Sequence, residues 1–400
     1  MKLGIVTSYP PSKVTLNEYA FHLLKQFRNH NRVTEVVLYT DVSEAETGLN
    51  SEIDGCKVSV VKCWKFNSAK NVITIARAIK NSRPDAILYN LQFMKFGDRK
   101  IPAALGLFSP WLTKLMKIPT IVLLHNIMEA VDLNSAGFTQ SKWKNAVYNR
   151  IGTFLTSIVL KADRVAVTIN DYVSKLEGKY LAKNVVLIPH GTFEIPDTPT
   201  YETESGPLKI MTFGKFGTYK KVESLIRAVE IVRKEIKQPL EIVIAGTDNP
   251  NTPGYLEGVK NSFSEVPMLT FTGYVEEEVV PRIFSESAMV VFPYTSTTGS
   301  SGVLHQAGSY GKAVVMPNLG DLSRLVKDEG YRGEFFEPTS DESLAAAIKN
   351  LVTDEAYRLE IAKANYAAAT SFPMSKIADM YVDEFHAIGI KEINRNKIAA

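Results

Sequence analysis

The first half of the chain alternates short apolar runs with longer segments of helical period. LGIVTSY (3–9), EVVLYT (35–40) and AILYN (86–90) are rich in β-branched and apolar residues, as in strands covered on both faces. Apolar residues recur at helical spacing in 18–30 and 71–82. Such alternation predicts a parallel, doubly wound α/β sheet with right-handed crossovers. Further strands are predicted at 57–64, 120–126, 164–169 and 185–191, and further helices at 147–162 and 171–181.

A proline-, threonine- and acid-rich segment without periodicity, residues 193–207, interrupts this pattern. The strand–helix alternation restarts at residue 208 and leads into a long helical region from Glu342 onward. We therefore predict an N-terminal Rossmann-like domain (1–192), a linker (193–207) and a C-terminal Rossmann-like domain (208–372). A last helical segment, about 373–392, follows Phe372-Pro373.

The charge of the chain is unevenly distributed. The 400 residues have a net charge of only +3, but residues 1–192 hold 25 basic and 14 acidic residues, and the remainder 21 and 29. This predicts either a basic domain that meets an anionic surface or substrate, or two domains of opposite sign that attract each other. With two cysteines and no uninterrupted apolar span, we expect a cytoplasmic protein, at most peripheral at the inner face of a membrane.

Several motifs that doubly wound sheets often carry do not occur. The sequence has no G-x-x-x-x-G-K-[ST], no G-x-G-x-x-G after the first strand and no G-x-S-x-G. It also has no D-x-D pair and no His/Cys/Asp cluster with metal-ligand spacing. These absences disfavour P-loop ATPases, nicotinamide dehydrogenases and α/β-hydrolases, and we expect neither a cofactor nor a metal ion.

Two segments of the second half carry the chemistry of phosphate binding. GKFGTYKKVESLI (214–226) places Lys215 and Lys220 just before a helix, and TSTTGSS (295–301) leads into a helix near Gly302. Ammonium groups and free N–H groups at a helix start suit a diphosphate. The alternatives are lysines that only solubilise the loop and an ordinary serine-rich helix cap.

These segments, in this order, resemble the donor domain of retaining GT-B glycosyltransferases of family 4, the group 1 transferases. GKFGTYKKVESLIRA is similar to G-R-x-x-x-x-K-G-x-x-x-L-I-x-A, and GSSGVLHQAGSYGKAVV to E-G-F-G-x-x-x-x-E-A-x-A-x-G-x-P-V-V. YPPSKVTLNEY and IVLLHN resemble the loop after the first strand and the T-x-H-[DN] segment. The resemblance covers almost the whole chain. It implies two Rossmann-like domains facing each other across a cleft, with a C-terminal helix that crosses back to the first domain.

The resemblance also implies roles for individual residues. His125, Lys215 and Lys220 are the expected catalytic residues, with Lys215 in place of an arginine. Val14 and Thr15 stand on the acceptor side, where the family has two glycines. The glutamates of the E-x7-E pair are replaced by Thr298 and Gln306, and Gln306 can still accept a hydrogen bond from a ribose hydroxyl. The expected donor-binding residues are Gly214, Tyr274, Val275, Thr298, Gly299, Ser300, Ser301, Gly302, Val303, Leu304 and Gln306.

The activity implied by this family is metal-independent hexosyl transfer with retention, from a nucleotide diphosphate sugar to a saccharide or lipid-linked acceptor. A UDP-sugar is expected, UDP-glucose first, with a role in polysaccharide biosynthesis. Because both glutamates are replaced, a non-catalytic nucleotide-sugar-binding sensor or assembly subunit is an alternative. A GT-B nucleotide-sugar epimerase is another.

A basic amphipathic helix is predicted within residues 141–164, which hold five basic residues and one acid. Such a helix can lie on an anionic membrane, and the basic N-terminal domain favours peripheral membrane contact. The alternative is a surface helix whose apolar face belongs to the domain core. Nucleic acid is not an expected partner, because no basic groove with interleaved aromatic residues is evident.

Overall fold

The computed structural model describes residues 1–42, 49, 52–53, 56–128, 142–201, 206–296 and 301–390. The chain divides into two compact units. Unit 1 comprises Met1–His190 and Met374–Ala400, and unit 2 comprises Gly191–Pro373. The chain therefore leaves unit 1 once and returns to it.

In its described residues, unit 1 holds an eight-stranded sheet of order β3-β4-β2-β1-β5-β6-β7-β8. All neighbouring strands are parallel except β3 and β4. The chain builds outward from β1 on one side and then crosses to β5, so the topological switch point lies between β1 and β5. The strands are β1 (Lys2–Val6), β2 (Glu35–Asp41), β3 (Glu52–Ile53), β4 (Cys56–Trp64), β5 (Ala86–Leu91), β6 (Thr120–Leu124), β7 (Arg164–Val167) and β8 (Val185–Leu187).

The helices of unit 1 are α1 (Asn17–Asn29), α2 (Asn71–Ser82), α3 (Lys100–Gly106), α4 (Ser109–Leu115), α5 (Lys142–Val159), α6 (Asn170–Tyr180) and the returning α14 (Met374–Ala387). The apolar pattern predicts no helix between residues 91 and 119, yet α3 and α4 form there. Pro102 and Pro110 lie in their first turns, where a missing N–H costs no hydrogen bond.

Helix α5 begins five residues before the predicted start at residue 147. Its described apolar side chains differ in burial along the length of the helix. Ile158 and Val159 are buried, whereas Val147, Ile151 and Phe154 are exposed. The apolar residues of this helix are therefore not confined to the core of unit 1.

Unit 2 holds a parallel six-stranded sheet of order β11-β10-β9-β12-β13-β14 in its described residues. The strands are β9 (Leu208–Phe216), β10 (Leu240–Asp248), β11 (Leu269–Gly273), β12 (Met289–Val291), β13 (Ala313–Pro317) and β14 (Glu334–Phe336). The helices are α7 (Val222–Glu235), α8 (Tyr255–Ser262), α9 (Val280–Glu286), α10 (Gly302–Ser309), α11 (Gly320–Glu329), α12 (Asp341–Thr353) and α13 (Glu355–Ser371). The predicted doubly wound α/β architecture is confirmed for both units.

The switch point of unit 2 lies between β9 and β12. The two strands pair only at Ile210 with Met289 and at Met211 with Val290. Beyond Met211, β9 continues beside β10 alone, up to Phe216. A crevice therefore opens at the carboxyl end of the sheet, where such folds bind ligands.

No helix in the described residues is both long enough and apolar enough to span a bilayer.

Candidate functional site

The loop that follows β9 is bonded to the segment that follows β12. Lys221 N–H donates to Pro293 O at 2.9 Å, and Thr295 N–H donates to Tyr219 O at 2.8 Å. Between these bonds, Lys220 and Tyr294 form an antiparallel bridge. The hydrogen bonds hold the lysine loop directly at the crevice of the switch point.

Lys220 is half-buried at this crevice, with its ammonium 4.7 Å from the centroid of the Tyr294 ring. Burial lowers the pKa of Lys220, and the nearby Tyr219 opposes this shift. Among the described residues, no carboxylate and no hydrogen-bond acceptor pairs with the ammonium. A buried cation without a counter-charge is costly, so this position favours an anionic ligand.

Gly214 lies beside this ammonium and requires the absence of a side chain. Its φ is 134°, and a Cβ there would approach Lys220 Nζ to 2.8 Å. A side chain would therefore be strained in the backbone and would displace the lysine. The position of the Lys220 ammonium therefore depends on glycine at position 214.

A hydrogen bond joins the Ser301 side chain to Tyr294, so the start of helix α10 lies next to Tyr294. Ser301 is the residue before the helix and makes no side-chain cap. Within the described part of the chain, the N–H groups of Gly302 and Val303 have no acceptor, whereas Leu304 N–H donates to Ser301 O. Two free N–H groups at a helix start thus lie in the same neighbourhood as Lys220.

The structure brings together only some of the predicted donor-binding residues. Lys220 and Ser301 contact Tyr294, Gly214 lies beside Lys220, and Gly302 and Val303 follow Ser301 at the start of α10. Thr298, Gly299 and Ser300 lie outside the described residues.

The other predicted donor residues have different surroundings. Lys215 is exposed on β9 and pairs in register with Thr247. Tyr274 and Val275 follow β11, two strands away from β9, and Tyr274 is largely exposed. The Leu304 side chain is fully buried in unit 2. Gln306 is half-buried on α10, and its side-chain amide has no hydrogen-bond partner among the described residues.

A buried polar cluster behind α10 has no counterpart in the sequence prediction. His305 Nδ1 is joined to the Tyr331 hydroxyl by a hydrogen bond of 2.9 Å and lies 3.6 Å from Glu329 Oε2. Both oxygens of the Glu329 carboxyl lack a hydrogen-bond partner in the described residues. Burial, with a smaller contribution from Asp328, raises the pKa of Glu329 to about 8.

In unit 1, His125 directly follows β6 at the carboxyl edge of the sheet. Its Nε2 lies 2.7 Å from Asn90 Oδ1, and Asn90 Nδ2 donates to Thr7 Oγ1 and to Leu16 O. Burial, with the nearby His190 and Lys95, holds the pKa of His125 well below its usual value. The imidazole is therefore neutral, with its proton on Nε2 donated to Asn90.

Lys95 lies beneath the loop that joins β1 to α1 and is only 1% exposed. Its ammonium donates to Ser8 Oγ and to Thr15 O, the latter at 2.6 Å. Burial lowers the pKa of Lys95 to about 7, and Asp41 opposes this shift. Val14 and Thr15, the predicted acceptor-side residues, stand on this loop, so Lys95 holds the segment on which they lie.

The sequence prediction missed Lys95 and Asn90. Both carry a readable signal, since Asn90 is a polar residue near the end of an apolar strand and Lys95 follows that strand closely. In a parallel sheet, the residues just beyond the strand ends are the ones that line a ligand site. Glu329 carries no such signal, because its burial depends on the packing of α11.

Residues 207–354 match the model of a family described as glycosyl transferases group 1, which covers most of unit 2. No curated protein sequence shows a significant match to the chain. Solved structures match over nearly the whole chain. Sucrose-phosphate synthase from Thermosynechococcus elongatus is 15% identical, with a TM-score of 0.73, over 97% of this chain and 99% of that one.

Two further solved structures are similar. Anabaena HepE in complex with UDP and glucose is 16% identical, with a TM-score of 0.67, over 97% of this chain and 100% of that one. WaaG, a glycosyltransferase involved in lipopolysaccharide biosynthesis, is 12% identical, with a TM-score of 0.65, over 96% and 99%. These likenesses show the GT-B type of fold that the sequence predicts.

Proposed function

We propose that this protein is a retaining glycosyltransferase that uses a nucleotide diphosphate hexose, with UDP-glucose as the first candidate. The acceptor is a saccharide or a lipid-linked saccharide in polysaccharide biosynthesis, in the cytoplasm. The family model that matches unit 2 supports sugar transfer. HepE, which shares the fold, has been solved with UDP and glucose and with UDP-glucose, and this supports the choice of donor.

The observation that carries the proposal is the ammonium of Lys220, which no described carboxylate neutralises, in the same neighbourhood as the N–H groups of Gly302 and Val303, which have no acceptor among the described residues. A diphosphate offers the oxygens that these donors lack. It would also recover the desolvation cost of the lysine. Lys215, near the end of β9, adds a second cation.

In the proposed reaction, these ammonium and N–H groups act at the step in which the sugar separates from the diphosphate. When the bond from sugar C1 to the diphosphate breaks, negative charge accumulates on the departing diphosphate. Donors that are already oriented toward that charge lower the barrier without a metal ion. The acceptor oxygen forms its bond to C1 on the face that the diphosphate leaves, and its proton passes to the departing diphosphate.

His125 contributes in this proposal as a neutral imidazole. Because Nε2–H is donated to Asn90, the lone pair of Nδ1 is the part of the ring that accepts a hydrogen bond from a sugar hydroxyl. Val14 and Thr15 would contact the acceptor from the loop held by Lys95.

The test is calorimetric titration of the protein, without added metal, against UDP, GDP and ADP and then the matching sugar nucleotides. We expect saturable binding of one nucleotide, with much weaker binding by Lys220→Ala. Lys237→Ala removes an exposed lysine of the same unit and serves as the matched control.

The same samples separate the competing functions. Slow release of free sugar from the bound donor supports a transferase. Binding without release and without transfer to any saccharide would indicate a sensor or an assembly subunit, and a change of sugar configuration would indicate an epimerase. Absence of binding to all three nucleotides would contradict the proposal.

A further inference from the structure

A groove of about 980 Å³ lies on unit 1, away from the residues described so far. It is lined by segments that precede three neighbouring strands: 115–117 before β6, 160–164 before β7 and 181–184 before β8. The strands are parallel, so the groove occupies the amino-terminal edge of the sheet. His125 lies at the opposite, carboxyl edge. The groove is thus separate from the candidate donor and acceptor residues.

The groove carries positive charge that the described residues of unit 1 do not neutralise. Lys114 pairs with Asp163 at 3.1 Å, and Arg164 pairs with Glu384 at 3.0 Å. The other three cations of the lining have no carboxylate partner among the described residues: Lys117, Lys161 and Lys183. Lys161 lies 4.9 Å from the Trp111 ring centroid, which orients its ammonium without cancelling its charge.

Large apolar side chains stand among these lysines. Leu181 is 83% exposed and Leu115 is 59% exposed. Leu181 has φ of 54°, in the left-handed region that a leucine rarely adopts. Phe154 of α5, which does not line the groove, is also exposed, with its ring 6.1 Å from that of Phe108, just before α4. Exposure of these leucine side chains to water is unfavourable, and a partner surface that covered them would remove this free-energy cost.

We propose that this groove docks unit 1 on an anionic lipid surface. Lysine ammonium groups would contact the lipid phosphates while the leucine side chains enter the boundary between headgroups and acyl chains. Charge complementarity supports this occupant, since residues 1–192 carry 25 basic and only 14 acidic residues. A free phosphate ion would leave the leucines exposed. The inference goes beyond the proposed function.

The experiment is co-sedimentation of the full chain with vesicles of phosphatidylcholine alone and with phosphatidylglycerol added. We expect salt-sensitive binding to the anionic vesicles only. Reversing three charges in Lys117→Glu, Lys161→Glu and Lys183→Glu should weaken binding by about a hundredfold, from the attraction of each lysine to an anionic surface. The pair Leu115→Ser and Leu181→Asn should weaken it by about tenfold.

The matched control reverses Lys57, Lys65 and Lys70 to Glu. These exposed residues belong to unit 1, on or after β4, at the other flank of the sheet. The control should retain near wild-type vesicle binding. Unchanged nucleotide affinity and thermal midpoint of each variant show that the fold is intact, and they separate this test from that of the proposed function.

Four results would overturn the proposal. The first is no binding of the wild type to anionic vesicles. The second is equal loss of binding in the groove and control variants. The third is displacement from the vesicles by millimolar inorganic phosphate at constant ionic strength, which would assign the groove to a free anion. Self-association without vesicles that the leucine variant abolishes would instead assign it to a second copy of the chain.

Discussion

Among single residues, Lys220 with its half-buried ammonium is expected to have the most direct effect on activity. If it stabilises the departing diphosphate, Lys220→Ala should lower turnover by about 10²-fold or more, because one preoriented charge at a developing anion has effects of this size. The measurement is kcat with the sugar nucleotide that calorimetry identifies. Lys237→Ala provides the control for the loss of a charge. Wild-type turnover by folded Lys220→Ala would remove the proposed role.

Gln306 on α10 has a side-chain amide that no described residue pairs with. If it accepts a hydrogen bond from a ribose hydroxyl, Gln306→Ala should weaken nucleotide binding by roughly 1–2 kcal/mol, as the loss of one such bond does. Titration calorimetry measures this directly. Gln238→Ala, at an exposed position of unit 2, should leave the affinity unchanged. Equal affinities of wild type and Gln306→Ala would argue against the contact.

Glu329 predicts a pH dependence of stability. Its pKa is about 8, above the usual carboxyl value, so the folded protein binds an additional proton between about pH 4.5 and 8. Its contribution to the free energy of unfolding is therefore present at low pH and is lost as pH rises through this window.

The Glu329→Gln variant keeps a neutral group of similar size. It should gain stability relative to the wild type as pH rises from about 5 to about 8, since the wild type alone loses this contribution. Denaturant unfolding at several pH values measures the difference. A difference that does not change with pH would show that Glu329 is ionised in the folded protein.

At the scale of elements, the loop between β1 and α1 is held by Lys95 and Asn90 of the segment that includes and follows β5. The bonds run from Lys95 to Ser8 and Thr15 and from Asn90 to Thr7 and Leu16. Both ends of the loop are thus bonded to the neighbouring strand across the switch point. Buried side-chain hydrogen bonds thus fix a loop that contains no glycine.

Lys95→Met tests this arrangement. The lowered pKa of about 7 means that the unfolded chain binds more protons at Lys95 than the folded protein does, between about pH 7 and 10. The contribution of Lys95 to the free energy of unfolding should therefore rise with pH across this window. The ionisation of tyrosines also changes the unfolding free energy near pH 10, but it does so equally in the wild type and in Lys95→Met. Subtracting the value of the variant from that of the wild type therefore removes this contribution. A subtracted value that stays flat would contradict the prediction.

For the whole molecule, the return of the chain makes unit 1 depend on residues that follow unit 2. Helix α14 buries Ile377, Tyr381 and Phe385 in unit 1, and the Tyr381 ring lies 6.3 Å from that of Phe27 on α1. A truncation before Met374 would remove part of the core of unit 1. Unit 1 is therefore not encoded by residues 1–190 alone.

The single substitution Phe385→Ala should destabilise the protein by about 3–5 kcal/mol, the cost of removing a buried phenylalanine. Chemical denaturation followed by circular dichroism measures this loss. Ser375→Ala, at an exposed position of the same helix, should change stability by about 0.5 kcal/mol or less. The nucleotide affinity of folded Phe385→Ala should equal that of the wild type, because Phe385 belongs to unit 1. Wild-type stability would show that α14 contributes little to the core.

The sequence by itself determined the elements and the chemistry of individual loops. Strand–helix alternation is a local property, so the strands from β1 to β14 were largely located, apart from the two-residue β3. The same local pattern placed Lys220 after a strand and Gly302 at a helix start. It gives no prediction for α3 and α4, where prolines in the first turns interrupt an apolar region.

Only the tertiary structure decided which residues meet. Sheet order placed Lys95 beside Ser8 and Thr15, and it placed Tyr274 two strands from Gly214. The rotation of α10 turned Leu304 into the core and left Gln306 half-buried. Strand order and helix rotation follow from contacts between segments far apart in the chain. Local periodicity carries no information about those contacts. The sequence therefore predicts the individual loops of the site but not how they come together.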